Sequence, residues 1–205
     1  MIMGVLIDIL GSLMIATLLL LMMITFQMQL QETADRTIFA AQMMTHVQKA
    51  CKELNNIIGL ASVNIPFEDV AVITAHRDSM RFLTYWDYKN NLMTSTVNTI
   101  SITLAPADSL SDFGRDFGII QIVQTPSPVY DLGSILWLED LKFEYFDMNG
   151  NSLGETVTGD TRKNIFSVDI KMTFKRDPPM IQSTPLRVRV QLRSHLMNRY
   201  LRYEP

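Results

Sequence analysis

The chain opens on a long apolar run. No residue from Ile9 to Gln31 is charged, and between Ile9 and Phe26 only Gly11, Ser12, Thr17 and Thr25 interrupt the apolar positions. A helix rises about 1.5 Å per residue, so about 20 largely apolar residues cross a bilayer core. Extending back through Val5, Leu6 and Ile7 reaches that length, with Asp8 as the only charge inside. A secretory signal peptide has a basic start, an apolar core of about 7–15 residues and a small-residue cleavage site. Here no Lys or Arg precedes the run, the core is longer and no Ala-X-Ala follows. The pattern therefore predicts a membrane-embedded helix rather than a signal peptide or a buried core helix. Basic residues near a span set its orientation. None precedes this one and only Arg36 follows closely, so charge leaves the orientation open.

Beyond Phe26 the residues become polar but still favour helix. There is no Pro or Gly from Ser12 to Ile58. Leu30, Ala34, Ile38, Ala41, Met44, Val47, Cys51, Leu54 and Ile58 recur at steps of three or four, which is one apolar stripe on a helix. Gly59 stands at a C′ position. A single helix of about 50 residues, roughly 75–80 Å at 1.5 Å per residue, is expected. Its first part is apolar all round, and its second needs a soluble domain to lie against.

After Pro66 the period changes to two. Strands are expected at Val70–Ala75, Met80–Trp86, Thr96–Leu104, Ile119–Gln124, Leu141–Asp147, Ile165–Phe174 and Leu186–Arg193. Val168, Ile170, Met172 and Phe174 alternate with Asp169, Lys171 and Thr173. Val188, Val190 and Leu192 alternate with Arg187, Arg189, Gln191 and Arg193. Such alternation suits antiparallel strands with one buried and one wet face. Asn149-Gly150 is a hairpin signal of the primed-turn type. Pro126, Pro128, Pro178 and Pro179 break strands or lie at edges, and Ala105–Gly118 reads as a surface loop. The expected fold is α+β: a helix over residues 1–27 and its amphipathic extension over 28–59, packed on an antiparallel β domain over 60–205.

Composition adds little for enzymes and much for the N-terminus. Net charge is −3, from 18 basic and 21 acidic residues, so no basic surface points to nucleic acid. One cysteine excludes a disulfide framework within the chain and a multi-cysteine metal site. Eight of the 14 methionines fall in the first 44 positions, where adaptable side chains suit a helix that packs against lipid or several partners. Phosphate-loop, nucleophile-elbow, zinc-protease and paired-cysteine motifs are all absent. Asp147, Asn149 and Asn151 resemble the start of a calcium loop, but Ser152 and Thr158 stand where an EF-hand needs Gly and Glu. The expectation is a non-enzymatic protein with no catalytic residue, cofactor, metal or small-molecule substrate. Cys51 falls on the apolar stripe and reads as core. His46 falls off it and reads as a solvated surface residue, and His76 and His195 are distant. Asp8 is the informative residue, because a carboxylate in an apolar helix is costly and often functional. The alternatives are a place at the headgroup level, the favourable positive end of the helix dipole, or a cap of the first turn.

The N-terminal Leu6-Ile7-Asp8-Ile9-Leu10, the long helix ending in Val47-Gln-Lys-Ala-Cys-Lys-Glu-Leu54, the run Leu141–Gly150 and the last strand Val188–Arg193 together resemble the type IV pilins and type II secretion pseudopilins. The likeness is greatest to larger minor pilins and J-type minor pseudopilins. It implies a minor subunit of a pilus-like or pseudopilus-like filament. Such a subunit would assemble through Leu6, Ile7, Asp8, Gly11, Ser12 and Ala16, with other pilin-like subunits and membrane lipid as partners. It implies a globular domain outside the cytoplasm, on an inner-membrane anchor or in a periplasmic or cell-surface filament. Asp8 stands where the family has a Glu thought to neutralise a neighbouring subunit's N-terminal amine. With that alignment Met3, not Gly4, precedes the cleavage junction, and no basic leader is present. The expectation divides between a leader missing from this chain and a subunit that no prepilin peptidase processes. The rival expectation is a bitopic accessory protein, anchored by the same helix and never polymerised, whose β domain is a periplasmic interaction module.

Overall fold

The computed structural model describes residues 2–105, 118–125, 130–176 and 185–201. Helix α1 runs unbroken over Ile2–Gly59. Eight strands follow: β1 (Val72–Ala75), β2 (Ser79–Asp87), β3 (Leu92–Ala105), β4 (Gly118–Thr125), β5 (Tyr130–Phe146), β6 (Ser152–Gly154), β7 (Ser167–Arg176) and β8 (Leu186–His195). A short 3-10 helix, Gly159–Asn164, precedes β7, and α2 (Met197–Leu201) follows β8. The chain divides into two compact units, Met1–Met44 and Thr45–Pro205, so the boundary falls inside α1. The α+β class with a long N-terminal helix is as the hydrophobic pattern predicts, and each of the seven expected strands has a counterpart.

In the Thr45–Pro205 unit the strands form one antiparallel path, β1-β2-β3-β4-β5-β7-β8, with β6 hairpinned onto β5. Period two decides which side chains enter the core. Phe82, Ile100, Ile102, Ile120, Ile122, Phe143, Val168, Ile170 and Phe174 are fully buried on one face, and Val47, Ala50, Leu54, Ile57 and Ile58 of α1 are buried too. The end of α1 is fastened through carbonyls that its last turn leaves unpaired. Tyr88 donates its hydroxyl to Ile57 O, and Thr84 Oγ1 donates to Leu60 O at 2.9 Å. Burial pushes the Tyr88 phenol well above its ordinary pKa, so it stays a donor. Ser194 Oγ donates to Asn55 Oδ1 at 3.0 Å, joining β8 to the same helix.

Several local expectations are corrected. The predicted stripe is exposed over Leu30, Ala34, Ile38, Ala41 and Met44, and Cys51 is only half-buried. Val47, Leu54 and Ile58 of the predicted stripe are buried, together with Ala50 and Ile57 of the adjoining row. Gly59 is the last helical residue, and the left-handed conformations that turn the chain away fall on Ser62 (φ 62) and Asn64 (φ 58). The β5–β6 hairpin exists, but its turn is not primed. Neither Met148 nor Asn149 has positive φ, and Gly150 does (φ 81). Gly150 N donates to Asp147 O at 3.1 Å, so Asp147–Gly150 is an ordinary turn followed by a left-handed glycine, the three-residue hairpin solution. Pro126, Pro128, Pro178, Pro179 and the interior of the loop Ala105–Gly118 lie outside the described residues.

The wet face of β5, β7 and β8 is a lattice of opposite charges. Arg187 meets Glu139 at 2.8 Å, Lys171 meets Glu144 at 2.7 Å and Lys142 meets Asp140 at 3.1 Å. Exposed pairs of this kind contribute little each. Asp169 differs, because its side chain is 3% exposed. Burial alone would raise its pKa, but Arg193 and Gln191 donate to both carboxylate oxygens, and the net shift is downward. A depressed carboxylate stabilises the fold above its unfolded pKa of about 3.9, and that contribution is lost as pH falls through the lower folded value. The urea midpoint of the wild type should therefore fall on acidification below about pH 4. In Asp169→Asn the midpoint should start lower at neutral pH and fall less on acidification, as read by tryptophan fluorescence. An identical acid dependence in both proteins would show that Asp169 is not the group responsible.

Candidate functional site

The Met1–Met44 unit is where the sequence places its functional residues. Between Ile7 and Met28 the large apolar side chains point outward all round α1, with Ile7 66%, Leu13 62%, Leu21 65% and Phe26 60% exposed. A helix apolar on every side has no favourable place in water. Ten Leu, Ile and Phe residues lie between Ile9 and Phe26. Each contributes about 0.3–0.6 kcal/mol to insertion at the centre of a membrane helix, so together they contribute roughly 3–6 kcal/mol. A carboxylate at the centre costs about 2.5–3.5 kcal/mol, and less near an end. Asp8 lies at one end, so the apolar sum wins. The helix is long and apolar enough to cross a membrane, as expected.

The polar groups inside the run are handled in two ways. Ser12 Oγ donates to Ile9 O at 2.9 Å, Thr17 Oγ1 to Leu13 O and Met14 O at 2.9 Å, and Thr25 Oγ1 to Leu21 O at 2.8 Å. Each hydroxyl is thus satisfied by its own helix and needs neither water nor a partner. Asp8 is exposed and has no such bond. Among the described residues it is the one polar side chain of Ile7–Phe26 without an intrahelical partner.

Helical spacing brings some of the predicted assembly residues together. Asp8, Gly11 and Ser12 stand at i, i+3 and i+4 on one face, with Ala16 at i+8 near its margin. Leu6 and Ile7 lie on other faces, and the side chain of Leu6 is outside the described set. Ile7, Leu10, Leu13, Met14 and Thr17 line a shallow apolar groove along the helix, and Gly11 forms its margin toward Asp8. A Cβ built on Gly11 would meet nothing within 4 Å. Nothing in this chain's own packing requires glycine there, although Gly costs about 1 kcal/mol relative to Ala inside a helix.

The β domain holds one arrangement that sequence reasoning missed. His46 is not a solvated surface residue. It is half-buried, with its ring 4.6 Å from Trp137 and 6.1 Å from Phe174. Arg176 lies over the same Trp137 ring at 4.3 Å. Trp137 has φ 64, a left-handed conformation uncommon for a bulky residue. It sits where the pairing of β5 slips a residue against both β4 and β7, and the bulge re-aims its ring toward α1. No sequence signal marks such a slip. Burial raises the pKa of Cys51, which makes it a poorer nucleophile. Among the described residues no three His, Cys, Asp or Glu side chains gather closely enough to hold a metal ion. No protein-family model, curated protein or solved structure matches the chain.

Proposed function

We propose that this chain is a non-enzymatic, membrane-anchored structural subunit of a pilin-like filament, a minor one by its domain size. The observation that carries the reading is the N-terminal half of α1: apolar on all sides, with its hydroxyls self-satisfied and one unpartnered carboxylate, Asp8, beside Gly11 and Ser12. Such a surface suits lipid before assembly and other helices after it. Small residues let helices approach closely in an apolar medium, which gives the otherwise unexplained Gly11 a purpose. A charge in that medium is relieved by pairing, and the N-terminal amine of a neighbouring subunit is a counter-charge of the right sign. The continuous helix leading into a meander sheet is also the layout of the family resemblance. On this reading the β domain stands outside the cytoplasm and decorates the filament, with other pilin-like subunits as partners.

Asp8→Ala tests the reading. Filament incorporation should be lost, while membrane association stays unchanged because the apolar run is intact. Normal incorporation of the variant in purified filaments would remove the neutralisation role. The rival is a bitopic accessory protein that is never polymerised and is held by the same exposed apolar helix. Mass spectrometry of the native N-terminus, on protein recovered from membrane and from filament fractions, separates the two. Recovery from membranes alone would favour the rival.

A further inference from the structure

The two edges of the sheet are unlike. At one end β1 is four residues long, slips its register against β2, and is covered. Val157 N donates to Ala75 O at 2.9 Å, and Arg162 donates to Ile73 O. At the other end β8 is ten residues long and pairs with β7 with no register slip from Leu186 to His195. A long, regular edge strand is a template for another strand unless it is blunted by bulges, prolines, shortness or charges. Between Leu186 and Gln191, β8 has no bulge or proline and is long, so its only guard is the charge of Arg187 and Arg189, which repels like-charged strands alone; among the described residues no strand pairs beyond it.

The backbone groups that this edge offers can be identified. Leu196 N donates to Phe166 O at 2.9 Å, in register with the β7–β8 ladder. Antiparallel ladders alternate, so the even residues of β8 bond to β7 and the backbone groups of Arg187, Arg189 and Gln191 face away from the sheet. The same three residues carry the exposed side chains of the wet face. Arg187 is paired to Glu139 and Gln191 to Asp169. Arg189 has no ion-pair partner among the described residues; it shares one shallow groove with Asp140, Lys142 and Lys171, of which Lys142 pairs with Asp140 and Lys171 with Glu144. The edge is therefore a row of open backbone donors and acceptors under a guanidinium that makes no ion pair of its own among the described residues.

Charge selects the occupant. A second copy of β8 paired about Gln191 would set Arg189 opposite Arg193, and like charges directly opposite each other destabilise a strand pair. A strand with carboxylates at alternate positions would set one opposite Arg189, in reach of a bidentate pair. We propose that the Leu186–Gln191 edge of β8 is a docking site for an extended acidic segment of a partner protein, added to the sheet as an antiparallel ninth strand. The site is independent of whether α1 enters a filament.

The test uses the full chain in detergent micelles and a blocked peptide that alternates threonine with glutamate and is long enough to span Leu186–Gln191. It should bind at least roughly tenfold more tightly than the threonine–lysine counterpart, a difference of about 1.4 kcal/mol. Arg189→Glu, at an exposed position with no partner to lose, should reverse that order. Residues opposite Arg187, Arg189 and Gln191 form hydrogen-bonded pairs, so N-methylation of the glutamate amides should abolish binding and N-methylation of the threonine amides should not. Equal tolerance of both methylations would mean charge attraction without strand addition and would overturn the proposal. So would no binding of the glutamate peptide, or dimerisation of the chain through β8.

Discussion

Phe143→Ala is expected to destabilise the Thr45–Pro205 unit by about 3–5 kcal/mol, the range for deleting a buried aromatic ring. Phe143 is fully buried. It is paired across β5–β7 with Ile170 and stacked on Tyr145 at 6.5 Å, and its amide donates to Arg77 O at 2.7 Å. The substitution keeps that backbone bond and removes the ring, so the loss is one of packing and transfer, plus the cavity left behind. For a unit of this size the shift in Tm should be roughly 6–20 °C, measured by near-UV circular dichroism. Leu92→Ala, at a half-exposed position on β3, serves as the comparison and should stay within about 0.5 kcal/mol of wild type. A Phe143→Ala protein as stable as the Leu92→Ala protein would mean that the core does not centre on β5 and β7.

That core was readable in advance because strict alternation leaves no choice of face. Val168 to Phe174 and Leu141 to Tyr145 point inward wherever the strands pair. The misses have a common physical origin, since each depends on something that one-dimensional periodicity does not carry. The first half of β5, Tyr130–Asp140, contains Gly133 and slips register repeatedly, so no clean period of two survives there. Strand β6 has three residues and exists only because β5 is beside it. The stripe on α1 is buried at Val47, Leu54 and Ile58, and the buried face also takes in Ala50 and Ile57, because a helix with apolar residues on adjacent rows can turn either toward the sheet. His46 was assigned to solvent for the same reason, its ring partner lying ninety-one positions further along the chain. In the candidate site the result is reversed. The exposed apolar helix, Asp8 and the small residues beside it were all legible, because they need no tertiary partner within the chain.

Leu18→Arg combined with Leu19→Arg should convert the chain from a membrane protein into one recovered in the soluble fraction, if α1 is the anchor. Both positions lie near the middle of the Ile9–Phe26 run. Each arginine at a helix centre costs about 2.5–3.5 kcal/mol, about 5–7 kcal/mol for the pair, which exceeds the roughly 2.4–4.8 kcal/mol that the eight remaining Leu, Ile and Phe side chains contribute. The Thr45–Pro205 unit contains neither position, so its Tm should not change. Fractionation followed by alkaline extraction reads the outcome, and persistence of the double variant in the extracted membrane pellet would show that something other than this run holds the chain there.

The order of strands along the sheet also bears on how the domain forms. Every ladder joins strands adjacent in the sequence, except that β5 passes over the three-residue β6 to reach β7. Closing a short loop costs less chain entropy than closing a long one, and sheets built from sequential hairpins have low contact order for their size. Each strand can thus add to an edge already laid down by the strand before it, in the direction in which the polypeptide is synthesised or delivered across a bilayer. The tie from Ser194 back to Asn55 comes last. Tyr88 and Thr84 can fasten the end of the helix early, and the final strand adds the last tie when it has been threaded into place.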